Sequence, residues 1–254
     1  MNLLRLLSYR YPTWAGAAGL EDESHAILRR YQRCSQAWQP HLNKCRNLIE
    51  SILVEGETVV VLGSGWLLDI PLGAMLAHGS EIYLVDAVHP PPALRAAAWH
   101  SAIHLVHLDV TDSLQYLEKP ALFSPNGVFS PPALDFLRCK SGLVISCCLL
   151  SQLALPLADA WTEQGEGREK IASLYQKMEK DHLQLLSHLG RRQCLIHDEE
   201  TFQSEDRVHL LTALPLAKAE WEWELAPPGE SDQPDLRRVR AWMFQGNQLA
   251  SSRS

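Results

Sequence analysis

The sequence predicts an α/β protein built on a mostly parallel β-sheet. From about residue 57 onward, short apolar and β-branched runs alternate with segments of helical periodicity, in the order strand, helix, strand, helix. Near the end of the chain, two apolar stretches are separated only by the turn-rich segment 227–235, which is too short for a crossover helix. We therefore expect a parallel sheet with helices on both faces and an antiparallel C-terminal hairpin.

Composition limits the function classes that fit this fold. Of the 254 residues, 46% are hydrophobic and 21% are charged, a balance typical of a globular chain. The formal net charge is −7, whereas nucleic-acid binders cluster Lys and Arg against phosphates, so the charge argues against a nucleic-acid partner. No apolar stretch approaches the ~20 residues of a membrane span, and Arg5 and Arg10 interrupt the apolar N-terminus. We expect a soluble, cytoplasmic protein.

The first part of the chain predicts a helical extension. Apolar residues recur three or four positions apart between residues 21 and 53. Pro40 should break or kink this helix, because proline lacks an N–H and crowds the preceding turn. We expect residues 1–54 to form the extension, 55–246 the main domain, and 247–254 a disordered tail.

The main domain yields its elements in order. Apolar runs predict parallel strands at 58–63, 81–86, 102–109, 142–148 and 192–198. Helical periodicity predicts helices at 67–79, 91–100 and 168–190. The proline-rich segment 115–142 predicts loops around a short helix near 132–138. Strands within 207–228 and 237–246 form the predicted hairpin, with Trp221 and Trp223 on one face covering the core.

Candidate binding residues follow the ends of neighbouring strands. The first strand ends in the turn Gly63-Ser64-Gly65, the second ends in Asp86, and the third ends in Asp109. The carboxyl ends of parallel strands line one crevice, where ligands bind, so we expect these residues to converge there. An acid at the end of the second strand suits ribose hydroxyls. For Asp109 a role as a helix N-cap stays open beside ligand binding.

A family resemblance is carried by VVVLGSGW, EIYLVDAV and HLDVTD, in this order and spacing. The sequence resembles class I S-adenosylmethionine-dependent methyltransferases over roughly residues 55–246. The resemblance implies a Rossmann-like three-layer sandwich whose seven-stranded sheet has only its last strand antiparallel. It also implies S-adenosylmethionine as the cofactor. In this family the glycine turn contacts the methionine part, the acid matching Asp86 holds the ribose, and the acid matching Asp109 holds the adenine amino group, with Val110 against the ring.

Three positions depart from the family pattern. Val61 stands where the family usually has an acid, Leu67 replaces the third glycine, and bulky Trp66 follows the second glycine. Asp69 is then a candidate partner for the amino group of the cofactor, or a first-turn charge that complements a helix dipole. Ser146, in the fourth strand, is a further cofactor-binding candidate.

In this family the protein mainly positions the methyl donor and the acceptor in line, because the transfer needs little acid–base catalysis when the acceptor is nucleophilic. Ser151 and Gln152 are candidates for hydrogen-bonding an acceptor, or for capping the following helix. His197 is a candidate general base. The six cysteines show no zinc-ligand spacing, so we expect no metal site, and the adjacent Cys147 and Cys148 are interpreted as small core residues.

Two functions therefore compete. The first is S-adenosylmethionine-dependent methyl transfer to a small-molecule acceptor. The second is a non-catalytic binding or scaffold protein with a methyltransferase-like fold, which the departures at Val61 and Leu67 favour. A nicotinamide-dependent oxidoreductase fits less well, because Leu68 occupies the last position of the Gly-x-Gly-x-x-Gly spacing. The sequence does not determine the acceptor or the oligomeric state.

Overall fold

A computed structural model describes residues 19–127, 134–138, 142–200, 214–231 and 233–246. Within them, one seven-stranded sheet has the order β3-β2-β1-β4-β5-β7-β6. Its strands are β1 (Val59–Leu62), β2 (Ile82–Asp86), β3 (Ile103–His107), β4 (Leu143–Cys147), β5 (Arg192–Glu200), β6 (Ala219–Ala226) and β7 (Asp235–Gln245). Neighbouring strands from β3 to β5 pair in parallel, and β7 is antiparallel to both β5 and β6. The predicted mostly parallel sheet with its antiparallel hairpin is confirmed.

Helices cover both faces of the sheet. They are α1 (Leu20–Glu50), α2 (Leu72–Ala77), α3 (Pro91–Trp99), α4 (Asp135–Arg138), α5 (Leu155–Glu163) and α6 (Arg168–Leu189). Side chains of β1 alternate between two core clusters, with Val59 and Val61 on the α1 face and Val60 and Leu62 on the α6 face. The result is the three-layer arrangement that the sequence predicts. No helix among the described residues is both long and apolar enough to cross a bilayer.

The N-terminal helix is bent but continuous. Helix α1 includes Pro40 and has non-helical backbone angles at Cys34 (φ −108°, ψ 18°). The kink therefore lies at Cys34, more than one turn before Pro40, and the helix continues through the proline itself. The buried side chains of α1 share one core cluster with the sheet. The division of the chain at residues 54 and 55 stays a prediction.

The helix predicted at 67–79 begins later in the structure than the sequence predicts. Helix α2 starts only at Leu72, and residues 63–71 form turns and bends. Leu67 has left-handed backbone angles (φ 59°). Ile70 precedes Pro71, and a residue before a proline rarely adopts helical angles. Asp69 consequently lies in a loop, and its predicted place in the first turn of a helix is wrong.

Several predictions concern the outer parts of the domain. Trp221 and Trp223 are 7% and 8% exposed and join the core, as predicted. Helix α4 lies inside the predicted short helix near 132–138. Residues 128–133, 139–141, 201–213 and the predicted tail 247–254 lie outside the described residues.

Candidate functional site

The site lies where the strand order reverses. Chain connections run from β1 towards β3 on one side and from β4 towards β7 on the other, so β1 and β4 flank a topological switch point. Ligands of open α/β sheets bind outside the carboxyl ends of the strands at such a point. A cavity of about 1020 Å³ lies there, between the sheet and α1. Its wall includes Gly63, Ser64, Gly65, Asp69, Asp86, Asp109, Val110, Ser151, Gln152 and His197.

The two glycines of the turn have different reasons to be glycine. Both have left-handed backbones, with φ +70° at Gly63 and +46° at Gly65. A Cβ at Gly63 would lie 2.7 Å from Leu149 Cδ1, because the segment after β4 packs directly against this turn. A Cβ at Gly65 would meet nothing within 4 Å. Gly63 therefore serves packing, whereas Gly65 leaves an open backbone surface in the cavity wall.

Asp86 joins the glycine turn to the second strand. Its Oδ2 accepts a hydrogen bond from the Gly65 N–H at 2.7 Å, and its Oδ1 accepts one from the Val88 N–H at 3.1 Å. Burial raises the pKa of Asp86, and the backbone N–H groups oppose that rise. The Ala87 N–H and the Ser64 hydroxyl also approach this carboxylate, so a ribose hydroxyl would share it with these groups. The structure brings Asp86 and the turn together as the sequence predicts.

Asp109 organises its own loop. Its Oδ1 accepts hydrogen bonds from Thr111 N–H at 2.9 Å and Thr111 Oγ1 at 2.6 Å, and its Oδ2 accepts one from Leu114 N–H at 2.8 Å. Asp109 is not a helix N-cap, because Ser113 is the residue that precedes the short 3-10 helix Leu114–Tyr116. The loop holds Val110, 8% exposed, in the cavity wall.

The departures from the family pattern lie in the wall or the core. The Trp66 indole donates a hydrogen bond to Ser24 O at 2.8 Å and meets the His25 ring edge-on at 5.8 Å. Trp66 therefore ties the glycine turn to the start of α1. Leu67 packs against the core cluster that contains Val61, and Val61 is fully buried.

The catalytic candidates already contact protein groups. Ser151 Oγ donates to Asp198 Oδ1 at 2.8 Å, and Gln152 Nε2 donates to Cys148 O at 2.8 Å. Burial raises the pKa of Asp198, a rise that its hydrogen bond from Ser151 opposes. His197 is 3% exposed and shares the cavity wall with Asp198. Catalytic roles for Ser151, Gln152 and His197 stay predictions.

The structure does not bring Ser146 to the cavity. Successive residues of a strand point to opposite faces, and Ser146 points to the α6 face of the sheet. There its Oγ lies 2.8 Å from His182 Nε2, and burial lowers the pKa of His182 to about 4. The prediction that Ser146 contacts the cofactor is therefore corrected.

Sequence reasoning missed a group of sulfur and carboxylate side chains in the cavity wall. Cys147 and Cys148 are buried, as predicted for core residues, but they also line the cavity. Their sulfur atoms and a carboxylate oxygen of Asp69 lie within 4.8 Å of one another. Hydrogen bonding with the Cys147 and Cys148 thiols lowers the pKa of Cys45 to about 7. In the sequence, the two adjacent cysteines at the carboxyl end of a predicted strand could have indicated this group of side chains.

Comparisons with known proteins find similarity only among solved structures. No protein-family model matches the chain, and no curated protein matches it. A Pyrococcus horikoshii protein assigned as an RNA methyltransferase is 11% identical over 81% of this chain and 82% of that chain, with a TM-score of 0.44.

A second similar structure is the Burkholderia thailandensis 1,6-didemethyltoxoflavin-N1-methyltransferase, solved with 1,6-didemethyltoxoflavin and S-adenosylhomocysteine. It is 12% identical over 87% of this chain and 89% of that chain, with a TM-score of 0.37. TrmK of M. capricolum, in complex with S-adenosylhomocysteine, is 10% identical over 82% of this chain and 68% of that chain, with a TM-score of 0.35.

Proposed function

We propose that the cavity binds S-adenosylmethionine and that the protein transfers the methyl group of this cofactor to a small-molecule acceptor. The observation that carries the proposal is the convergence of the glycine turn, Asp86 and the loop holding Val110 at the switch point between β1 and β4.

The residues present fit such a cofactor. Gly65 offers an open backbone surface, since a Cβ there meets nothing within 4 Å. Asp86 offers a carboxylate that ribose hydroxyls would share with the glycine turn, and Val110 with neighbouring leucines supplies an apolar wall for a flat base. When bound, the cofactor supplies an electrophilic methyl group on a sulfonium.

The chain contributes mainly orientation and exclusion of water. Trp66, fixed to Ser24, connects α1 to the glycine turn and so closes one side of the cavity. Such enclosure strengthens electrostatic contacts and holds donor and acceptor in line. On another part of the wall, the partly buried Ser151–Asp198 pair is available to orient a polar acceptor. Asp198 is well placed to accept a proton from a bound acceptor through Ser151 or directly.

The size of the cavity supports a small acceptor. Pockets for drug-sized ligands measure roughly 300–1,000 Å³, and this cavity measures about 1020 Å³. It therefore has room for a nucleoside cofactor and a small second molecule. The net charge of −7 argues against nucleic acid as the acceptor.

Calorimetric titration with S-adenosylmethionine and S-adenosylhomocysteine tests the cofactor. We expect Asp86→Asn to weaken binding about ten- to a hundredfold, because hydrogen bonds to a charged group contribute about 1.5–3 kcal/mol. The matched control is Asp112→Asn, which removes an exposed acid outside the cavity wall and should leave affinity unchanged. Thermal unfolding of each variant checks that the fold is retained. Absence of both heat and a thermal shift at millimolar cofactor would overturn the proposal.

A non-catalytic binding protein is the second candidate. The observation that favours it is that Asp86, Asp109, Ser151 and Gln152 all make hydrogen bonds within the chain. Incubation with methyl-labelled cofactor and a panel of small thiols, amines and phenols separates the two functions. Labelled product with stoichiometric release of S-adenosylhomocysteine supports the enzyme, whereas tight binding without product supports the binding protein.

A further inference from the structure

The wall of the cavity formed by Asp69, Cys147 and Cys148, here called the thiol wall, holds two thiols that methyl transfer does not use. The two sulfur atoms and a carboxylate oxygen of Asp69 lie within 4.8 Å of one another. Cys147 is 5% exposed and Cys148 is 7% exposed, and all three residues line the cavity. They come from the loop after β1 and from the end of β4, so the switch point itself brings them together.

An unusual backbone places both thiols on one side of the sheet. Consecutive strand residues normally point to opposite faces, yet Cys147 and Cys148 belong to the same core cluster. Cys148 has φ 50°, a left-handed conformation that costs a non-glycine residue about 1–2 kcal/mol. The Cys148 N–H donates to Ile196 O at 2.8 Å and holds this conformation. Backbone strain of this kind concentrates at functional sites.

His41, from α1, supports the sulfur atoms. The Trp221 indole donates to His41 Nδ1 at 3.1 Å. Because an indole only donates, Nδ1 accepts, and the neutral ring carries its proton on Nε2. Nε2 lies 3.9 Å from Cys148 Sγ and 3.6 Å from Cys45 Sγ. His41 thus presents an N–H to sulfur, as outer-shell donors do around thiolate ligands.

We propose that Asp69, Cys147 and Cys148 bind a thiophilic divalent cation, with zinc as the reference ion. Zinc is bound by Cys thiolates and by Asp carboxylate oxygens, and thiolates select soft cations over magnesium and calcium. Binding releases the two thiol protons, since the ligand is the thiolate, and the cation then balances the negative charge in this buried wall. Because the three residues line the cavity, the ion has an entry path and one side open to a further ligand. The site does not depend on the proposed cofactor.

Metal titration of the full chain tests the site. Protein purified under reducing conditions and stripped with a chelator is titrated with zinc in competition with a chromogenic chelator. We expect one equivalent per chain, and cobalt in place of zinc should give thiolate-to-cobalt charge-transfer absorption. Cys148→Ala and Asp69→Asn should each weaken zinc binding at least about 100-fold. Loss of an outer-shell partner already weakens metal binding by about 10- to 100-fold, and a direct ligand should contribute no less.

The matched control is Cys34→Ala, which removes a buried cysteine of α1 outside the thiol wall and should retain affinity and the cobalt spectrum. Far-ultraviolet circular dichroism confirms that each variant is folded. A folded wild-type chain without stoichiometric zinc, a cobalt complex without sulfur charge transfer, or folded Cys148→Ala and Asp69→Asn variants with unchanged affinity would each overturn the proposal. Titration with S-adenosylmethionine on the same samples shows whether cofactor binding fails separately.

Discussion

At the scale of single residues, the cavity is shaped by residues with left-handed backbone angles. Gly63 and Gly65 bend the chain away from β1, Leu67 turns into the core, and Cys148 turns away from β4. Each of these residues directs the chain or a side chain to a position that extended or helical backbone angles would not reach. Their effects on stability differ because their surroundings differ, and a pair of matched substitutions separates backbone strain from packing.

We expect Gly63→Ala to destabilise the protein more than Gly79→Ala. Both glycines have φ +70°, so both variants incur the backbone strain, about 1–2 kcal/mol. Only at Gly63 does the new Cβ meet the Leu149 side chain, at 2.7 Å, which adds about 1–3 kcal/mol of overpacking. Urea denaturation of both variants measures the difference. Equal losses would show that Leu149 moves aside freely.

At the scale of elements, the packing of α1 against the β6–β7 hairpin completes the cavity. Trp38 is 3% exposed, donates from its indole to Leu225 O at 3.0 Å, and meets Trp223 edge-on at 5.1 Å. His41 stacks on the same Trp223 ring at 4.0 Å. The N-terminal helix therefore contributes a wall of the site as well as part of the core.

Trp38→Ala should lower the free energy of unfolding by about 3–5 kcal/mol, the usual cost of truncating a buried tryptophan. Trp38→Phe should keep most of the packing and lose about 1 kcal/mol with the hydrogen bond. Trp99→Ala is the control, since Trp99 is 70% exposed on α3, and should change stability by no more than about 0.5 kcal/mol. Chemical denaturation measures all three. A loss in Trp38→Ala no greater than that in Trp99→Ala would contradict the docking role of α1.

Acid stability is a property of the whole molecule, because the buried histidines His89 and His182 stay neutral in the folded state at pH values where an unfolded histidine is protonated. Burial lowers the pKa of His182 to about 4 and that of His89 to about 3. An unfolded histidine titrates near 6.5. As pH falls below that value the unfolded chain binds more protons than the folded chain, so the folded state loses stability until pH reaches the folded pKa.

His182→Gln should make stability less dependent on pH. Between pH 7.5 and pH 5, the depressed pKa of His182 accounts for a loss of about 2 kcal/mol, which the variant should not show. Urea unfolding at both pH values measures the change. His100→Gln, which removes an exposed histidine, should keep the wild-type pH dependence. A His182→Gln slope equal to that of the wild type would mean that His182 is not the group responsible.

The sequence by itself determined the order of the elements, the parallel sheet with its terminal hairpin, and the glycine turn beside Asp86. Hydrophobic period, glycine and strand-end acids are local features, and parallel strands bring their carboxyl ends to one edge. Local patterns also explain the errors: the helical period continued through Leu67 and Asp69, where a left-handed residue and Pro71 prevent a helix.

Only the tertiary structure decided which side chains share the cavity. It turned Ser146 to the far face of the sheet, engaged Asp109 in its own loop, and brought Asp69 close to the two cysteines at the end of β4. These outcomes depend on strand order and on one left-handed residue, Cys148, which brings two neighbouring thiols to the same side. Contacts between positions so distant in the chain arise from packing, and no local period of the sequence encodes them.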